Sequence, residues 1–338
     1  MKTITLEEHF LTEGYVRATA EYSAKTGMQF PEMQAKLLDL GAGRIAAMDE
    51  AGIDLQVMSL VAFGLEGLSA ADGAAVARGV NDELAAAVAA HPDRLAGFAT
   101  LALKDVGEAT KELERCVTKL GFRGVMVNGT VEGRFFDDAR FLPFFEAAAA
   151  LDVPVYLHPA PPPEPVREAY YSGLPGEMGR MLSIAGWGWH SETALHTLRL
   201  IVAGLFDKVP GLQLIIGHMG EGLPFALARS SGMLSGPAKL KQTVAEYFKT
   251  NIHLTTSGYF TLPPLECALE VVGIERMMYS VDYPFSANTK GKDFLEKVAE
   301  VLSAEDMGRL VGENAEKVLG LGAKGVKTEV PEVRGVSA

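Results

Sequence analysis

Cysteine, tryptophan and long apolar runs are scarce in this sequence. Its 338 residues include two cysteines and two tryptophans. Cys116 and Cys267 each lie in a stretch with helical spacing, which predicts reduced structural thiols. No apolar run approaches a membrane span in length, and the N-terminal segment MKTITLEEHF lacks the apolar core of a signal peptide. These absences predict a soluble cytoplasmic protein.

Basic residues are also in deficit. Lysine and arginine total 31 against 43 aspartates and glutamates, which gives a formal net charge of −12. An acidic surface disfavours nucleic acid and anionic membranes as partners. It does not exclude a small anionic substrate, because a buried cation and one arginine can dominate the potential of a pocket.

What the sequence does contain is an alternation of short apolar runs and longer Ala/Leu/Glu-rich stretches with helical spacing. Each run is nearly continuous in apolar residues, as in parallel strands buried on both faces. The predicted strands are Thr3–Glu8, Leu55–Phe63, Leu95–Leu103, Gly124–Asn128, Val153–His158, Leu212–His218, Ile252–Ser257 and Met277–Asp282. The predicted helices are Ala35–Ala51, Val80–Ala90, Lys104–Leu120, Arg140–Leu151, Ser191–Phe206, Leu223–Ser235 and Pro263–Val272.

Eight such units favour a closed (β/α)₈ TIM barrel over an open doubly wound sheet. The first strand is not followed by G-x-G-x-x-G, which disfavours dinucleotide binding. We expect a single distorted barrel domain over residues 1–319 and a tail over 320–338. Residues 11–34 and 160–189 are predicted to be insertions on the C-terminal face, where barrel enzymes place their active sites.

Ionisable side chains cluster at the ends of four predicted strands. Glu7 and His9, spaced i and i+2 at the end of the first strand, share one face of an extended segment. His158 ends the fifth strand, His218 the sixth and Asp282 the eighth. In a barrel these ends converge on one mouth, where partly desolvated imidazoles and carboxylates need partners. A divalent cation satisfies several of them at once, and two histidines with two carboxylates suit Zn²⁺ or Mn²⁺.

Seven segments, taken together, resemble the amidohydrolase superfamily. They are LEEHF, HPDRLAGFATL, GFRGVMVNG, DVPVYLHP, IIGHMGEGLP, TTSG and YSVDYPF, and they run in order from about residue 3 to about residue 318. More narrowly they resemble its decarboxylase branch, which includes γ-resorcylate, 2,3-dihydroxybenzoate, 5-carboxyvanillate and aminocarboxymuconate semialdehyde decarboxylases. Residues 160–189 depart from these relatives, so the resemblance does not identify the substrate.

The resemblance implies one divalent metal ion per subunit, Zn²⁺ or Mn²⁺. Glu7 and His9 match the E-x-H pair that replaces H-x-H in hydrolytic members. His158 and Asp282 match the remaining ligands. His218 matches a histidine close to the metal that acts on substrate.

It also implies roles beyond the metal. Glu221 matches the acid that orients His218, Arg229 an arginine that pairs with a substrate oxyanion or carboxylate, and Asn128 a position facing the pocket. From their places in the chain, Phe285 is expected to pack on an aromatic ring and His190 to reach the pocket. Family resemblance and the apolar insertion favour a homodimer or homotetramer.

The predicted activity is therefore the non-oxidative, reversible decarboxylation of a hydroxylated aromatic carboxylic acid. The metal would act as template and Lewis acid, and Asp282 would protonate the ring carbon that bears the carboxylate. The alternative is hydrolysis or hydration of a lactone, an amide or an unsaturated ring-cleavage product at the same metal. A non-catalytic metal-binding protein is the third class, and the complete ligand set argues against it.

Overall fold

The computed structural model describes residues 2–61 and 63–322, so most of the predicted tail, residues 323–338, lies outside the described residues. Nine parallel strands lie within the described part of the chain. They are Ile4–Phe10 (β1), Leu55–Leu60 (β2), Leu95–Gly97 (β3), Ala99–Thr100 (β4), Val125–Asn128 (β5), Val155–His158 (β6), Leu214–Ile216 (β7), Ile252–Thr255 (β8) and Met277–Met278 (β9).

The strands close into an eight-stranded barrel. One sheet has the order β1-β2-β3 and the other runs from β4 to β9. Phe98, fully buried between β3 and β4, donates its N–H to Met58 while Ala99 bonds to Gly124, so β3 and β4 form one barrel strand. A parallel bridge from Glu8 to Tyr283 joins β1 to the segment after β9. The predicted (β/α)₈ architecture is confirmed.

Seventeen α-helices surround the barrel in the described residues. They are Glu13–Thr26 (α1), Gln34–Leu38 (α2), Ala42–Ala51 (α3), Ala70–Ala90 (α4), Val106–Thr118 (α5), Leu142–Ala150 (α6), Glu164–Tyr171 (α7), Met178–Ser183 (α8), Gly188–Val202 (α9), Leu205–Lys208 (α10), His218–Glu221 (α11), Leu223–Leu234 (α12), Val244–Thr250 (α13), Leu262–Val272 (α14), Asn288–Val298 (α15), Ala304–Gly308 (α16) and Asn314–Val318 (α17). The predicted helix Ala35–Ala51 is two helices, α2 and α3, separated at Gly41.

The barrel interior is filled by inward-facing side chains of successive strands. This cluster includes Leu6 of β1, Val57 of β2, Tyr156 of β6 and Ile215 of β7. All seven residues of β1 are buried, carboxylates included. Since parallel strands are covered on both faces, a polar side chain in them must find its partner inside the protein.

Both predicted insertions contain helices. Residues 11–34 carry α1, which begins at Thr12, whose hydroxyl accepts from the N–H of Tyr15, and ends at Gly27 in the left-handed conformation. Residues 160–189 carry α7 and α8 and lead into α9. Both segments follow a strand and therefore lie at the mouth formed by the C-terminal strand ends.

Most of the predicted strands are shorter in the structure than in the sequence pattern, and in two of them the early end precedes a predicted site residue. β7 ends at Ile216, and His218 has a φ of 51°, which starts a tight left-handed turn. β9 ends at Met278 because Tyr279 donates its N–H to Leu310 and not to a neighbouring strand. In both places the backbone leaves the sheet just before a predicted site residue.

Candidate active site

Glu7 and His9 lie side by side on the inner face of β1. Both are essentially inaccessible to solvent. The hydroxyl of Tyr156 donates to Glu7 Oε2, and Ser59 contacts the Nδ1 of His9 at 3.3 Å. These contacts orient the carboxylate and the imidazole before any ligand binds.

His158 faces Glu7 across the barrel mouth. Its Nδ1 lies 2.7 Å from the carbonyl oxygen of Pro159, which can only accept, so Nδ1 carries the proton. In the neutral ring Nε2 then presents a lone pair, and it lies 3.0 Å from Glu7 Oε1. Two acceptors at this distance repel each other unless a proton or a cation lies between them.

Asp282 completes the cluster from the segment after β9. Its Oδ1 lies 3.3 Å from His9 Nε2, and its Oδ2 lies 4.0 Å from His218 Nε2. Asp282 has a φ of 69°, a left-handed conformation that is strained for a residue with a side chain. Glu8 stabilises this turn by accepting the N–H groups of Val281 and Tyr283, each at 3.0 Å.

A second cluster of buried groups adjoins the first. Glu221 lies between two imidazoles, with Oε1 at 2.8 Å from His218 Nδ1 and Oε2 at 2.6 Å from His190 Nδ1. Trp189 donates its indole N–H to the other nitrogen of His190. Because the Nδ1 of His218 is engaged by Glu221, its Nε2 is directed toward Glu7, at 3.6 Å from Oε1.

Burial and charge shift the proton affinities in opposite directions. Burial, reinforced by the charge of Glu7, raises the pKa of Asp282 to about 7. Burial lowers the pKa of His9 to about 4. For His218 burial acts downward, but the carboxylates of Glu7 and Glu221 outweigh it and raise the pKa to about 10. For Glu7 burial acts upward, but the neighbouring histidines outweigh it and the pKa lies below its usual range. The cluster thus combines an ionised Glu7 and a protonated His218 with an Asp282 that titrates near neutral pH.

A divalent cation fits this donor set. The candidate ligand atoms of Glu7, His9 and His158 lie within 4.8 Å of one another, and all three residues are buried. Glu7 Oε1 has no hydrogen-bond partner among the described residues. Nitrogen and carboxylate oxygen donors of this kind suit Zn²⁺ or Mn²⁺.

Aromatic side chains from both insertions cover the cluster. Phe285 contacts the His9 ring edge-to-face at 5.6 Å, and Phe30 contacts Phe285 at 5.0 Å. Phe63 stacks on Trp189 at 6.0 Å. We call Phe30, Phe63, Trp189 and Phe285 the aromatic cover. Beneath it His9 and His158 are nearly inaccessible to solvent, which strengthens the electrostatic interactions between them and the carboxylates.

The two remaining predicted substrate contacts, Asn128 and Arg229, lie at different distances from the cluster: Asn128 adjoins it and Arg229 does not. Asn128 ends β5 and pairs in register with His158, beside the candidate metal ligands. Arg229 has an exposed side chain on α12. Leu227, two residues earlier, is buried against the core. Side chains two positions apart on a helix point to nearly opposite sides, so the side chain of Arg229 points away from the core. Within one chain Arg229 therefore does not join the cluster.

Comparisons with known proteins agree with this geometry. The Amidohydrolase family model matches residues 31–321, most of the chain. This chain belongs to the amidohydrolase family. It is 38% identical to γ-resorcylate decarboxylase of Polaromonas sp. over 94% of this chain and 98% of the relative. It is also 38% identical to decarboxylase orsB of Emericella nidulans, over 94% of this chain and 96% of the relative.

A solved structure is similar along nearly the whole amidohydrolase chain. It is dihydroxybenzoic acid decarboxylase of Polaromonas sp. with bound manganese and 2-nitroresorcinol. Its TM-score is 0.85 at 36% identity, and the match covers 95% of this chain and 97% of the other. The predicted family and barrel fold are confirmed. In the described residues, no helix is long and apolar enough to cross a membrane.

Sequence reasoning missed two residues that hold this amidohydrolase site together. Tyr156 precedes His158 by two positions and therefore points to the same face of β6, a signal present in the sequence. Glu8 lies between Glu7 and His9 and points the other way, toward the turn that carries Asp282. A carboxylate inside an apolar strand is itself a signal, since it needs buried donors.

Proposed function

We propose that this protein is a metal-dependent decarboxylase of a hydroxylated aromatic carboxylic acid. One divalent cation, Mn²⁺ or Zn²⁺, is held by Glu7, His9, His158 and Asp282. The observation that carries the proposal is the convergence of these four side chains beneath an aromatic cover. The relatives support it, because they are named decarboxylases of resorcylate and dihydroxybenzoate, and the solved structure of one of them contains bound manganese and the inhibitor 2-nitroresorcinol.

The chain's own residues supply the proton chemistry. When bound, the metal serves as a template and Lewis acid for the hydroxy-acid edge of the substrate. Asp282, whose Oδ1 and Oδ2 face His9 and His218 at the centre of the cluster, protonates the ring carbon that bears the carboxylate. Carbon dioxide then leaves, the electrons of the broken C–C bond restore the aromatic ring, and Asp282 regains a proton from solvent.

His218 and the aromatic cover position the substrate. His218, whose Nδ1 is held by Glu221, directs its Nε2 into the site and hydrogen-bonds there to a phenolic or carboxylate oxygen of the substrate. Phe285 provides an apolar face for the substrate ring, and Asn128 provides a hydrogen-bonding group at the border of the site. His190 acts through Glu221 and holds it in place.

The direct test measures product chemistry. The protein loaded with Mn²⁺ is incubated with a set of mono- and dihydroxybenzoates, and CO₂ release is followed beside hydrolysis of lactones and amides and hydration of unsaturated acids. We expect CO₂ and the corresponding phenol. Hydrolysis or hydration without CO₂ release would establish the alternative reaction at the same residues.

Replacing Asp282→Asn tests the proton donor. We expect kcat to fall at least a hundredfold, because positioned acids contribute about 10²–10⁴-fold to such steps. Metal content and circular dichroism are measured in parallel. The matched control is Asp293→Asn, an exposed aspartate on α15. A variant Asp282→Asn that keeps its metal and most of its kcat contradicts the assigned role.

A homodimer or homotetramer is part of the proposal. Large apolar side chains are exposed on the second insertion and on α12, among them Tyr170 (77%), Trp187 (61%) and Phe225 (91%). Contiguous exposed apolar surface is typical of subunit interfaces. Light scattering in solution tests this, and a monomer at micromolar concentration would refute it.

A further inference from the structure

A cavity lies beside the candidate metal centre, between the two insertions. It encloses about 330 Å³ and is lined among others by Tyr15, Met28, Phe63, Asn128, Ala160 and Arg167. We call it the side cavity. Its volume falls in the range of small-molecule sites, which begins at about 300 Å³. Neither the metal ligands nor the His218–Glu221 pair lines it, so the proposed reaction alone leaves it without a role.

The side cavity adjoins the reaction site. Asn128 lines it and is the register partner of His158. Phe63 lines it and stacks on Trp189, and Phe63 and Ala160 belong to the same apolar cluster as Phe285. Phe63 therefore connects the wall of the side cavity with the rest of the aromatic cover, which packs on His9 through Phe285.

Its polar groups lack partners within the protein. The hydroxyl of Tyr15, a residue only 4% exposed, is buried without a hydrogen-bond partner among the described residues. The same holds for Asn128 Oδ1 and for the Nε of Arg167. Three such groups around one cavity are uncommon, because a buried polar atom without a partner destabilises the fold. A ligand with matching groups would satisfy them.

The charge around the side cavity identifies the matching group. Lys104 is engaged by the carbonyls of Glu66 and Leu68, and the Glu66 carboxylate accepts the N–H of Gly64. Glu164 and Lys25 also line the cavity, both with exposed side chains. Arg167, in contrast, is half-buried and makes no ion pair within the described part of the chain. A guanidinium held in this way suits a carboxylate.

We propose that the side cavity binds a substituent of the substrate ring, several non-hydrogen atoms long, that ends in a carboxylate. Arg167 pairs with this distal carboxylate, and Tyr15 and Asn128 bond to polar atoms along the substituent. The inference rests on the proposed function, since it places the hydroxy-acid edge of the same ring at Glu7, His9, His158 and Asp282. It names the substrate class as a hydroxybenzoate with an anionic side arm.

Paired substrates test the proposal. One is 2,6-dihydroxybenzoate and the other is the same acid with a –CO–NH–CH₂–COO⁻ arm, whose amide offers an acceptor to Tyr15 and a donor to Asn128, and both are assayed with the Mn²⁺-loaded protein. We expect kcat/KM to be about tenfold higher for the arm-bearing acid, through KM, which is the usual effect of one charge-assisted hydrogen bond. In Arg167→Gln this ratio should fall about tenfold, and in Tyr15→Phe a few-fold. The matched control is Arg180→Gln on α8, which is paired with Glu177 and does not line the side cavity.

A binding measurement separates this proposal from the reaction. The two phenols that decarboxylation would yield, with and without the arm, are titrated calorimetrically into the Mn²⁺-loaded protein. A tighter arm-bearing phenol that competes with the plain one and weakens in Arg167→Gln supports the side cavity, even if no acid is decarboxylated. Equal affinities, an advantage that survives both substitutions, or simultaneous binding of the two phenols would overturn it.

Discussion

Tyr156 fixes the orientation of Glu7. Its hydroxyl donates to Glu7 Oε2 and is itself in contact with Thr255 at 2.8 Å. Thr255 in turn lies 2.6 Å from Ser257, so three hydroxyls from β6 and the end of β8 form a chain that ends on the carboxylate. With Oε2 engaged, Oε1 is left to face the histidines and a cation.

Tyr156→Phe should therefore weaken metal binding. We expect the dissociation constant for Mn²⁺ to rise about 10–100-fold, the usual cost of removing a partner of a metal ligand. Competition with a chromogenic chelator measures it. Tyr170→Phe, a change at an exposed tyrosine, is the control. Unchanged affinity in Tyr156→Phe would mean that Glu7 is oriented by other contacts.

At the residue scale the sequence predicts the ends of strands better than their interiors. The sequence predicts Glu7, His158 and Asp282 as site candidates because each interrupts an apolar run at a position where barrel strands converge. It does not predict Tyr156, because a buried tyrosine in a strand looks like core until its hydroxyl partner is known. The sequence also predicts Arg229 as a substrate contact, but its side chain is exposed on α12. The direction of a helical side chain depends on how the helix packs, which the sequence pattern does not specify.

The turn after β9 is held by a carboxylate from another strand. Glu8 of β1 accepts from the backbone on both sides of Asp282, and Ser280 donates to it at 3.2 Å. The left-handed φ of Asp282 persists because these bonds outweigh its strain. The pattern predicted a strand through Asp282, since nothing local in it signals that Glu8 pulls the backbone away from the sheet.

Glu8→Gln should loosen this turn. The amide presents an N–H where the carboxylate accepted one, so a buried N–H loses its partner, at a cost of about 1–3 kcal/mol in unfolding free energy. Urea denaturation measures the loss, and kcat should fall with it because Asp282 shifts. The exposed Glu13→Gln serves as control. Full stability in Glu8→Gln would exclude this support of the turn.

Helix α9 carries a buried histidine, His196, whose protonation makes the stability of the fold depend on pH. His196 Nε2 accepts the N–H of Phe136, and burial lowers its pKa to about 3. In the unfolded chain His196 binds a proton near pH 6.5, whereas in the folded chain it stays neutral at this pH. The stabilisation of the fold that is linked to neutral His196 is therefore complete above pH 6.5 and is lost as the pH falls toward 3.

The pH dependence of unfolding tests this linkage. We expect His196 to contribute a slope of about 1.4 kcal/mol per pH unit between pH 6 and 4. Urea denaturation of the wild type and of His196→Asn across this range measures it, and the variant should be less stable at pH 7 and show a shallower decline. Parallel curves for the two proteins would contradict the assignment.

At the scale of the whole molecule, the candidate metal ligands join distant parts of the chain. Glu7 and His9 come from β1, His158 from β6, which is the fifth strand of the barrel, and Asp282 from the segment after β9. The alternating pattern predicted this convergence, because a closed parallel barrel brings all C-terminal strand ends together. The sequence does not predict the helices within the insertions, because the positions of α1, α7 and α8 depend on how they pack over the barrel mouth.

Metal removal should consequently destabilise the entire barrel. At a free Mn²⁺ concentration about a thousandfold above its dissociation constant, binding contributes about 4 kcal/mol. For a chain of this size that corresponds to a Tm shift of about 6 °C. Scanning calorimetry before and after chelation measures it, and added Mn²⁺ should restore the Tm. An unchanged Tm would indicate that the site binds no metal in the folded protein.

The contact between Trp189, His190 and Glu221 has a consequence for how such enzymes diversify. The second insertion ends at the residues that hold the partner of His218. Trp189, the last residue of this insertion, and His190, directly after it, act through Glu221 on His218, whereas Ala160 and Arg167 line the side cavity. Replacement of the second insertion by that of a relative should therefore preserve activity when the replaced segment ends before Trp189. Activity should be lost when the replaced segment extends beyond Trp189. The residues that orient the reaction centre and those that shape the substrate pocket are thus neighbours within a single short stretch of chain.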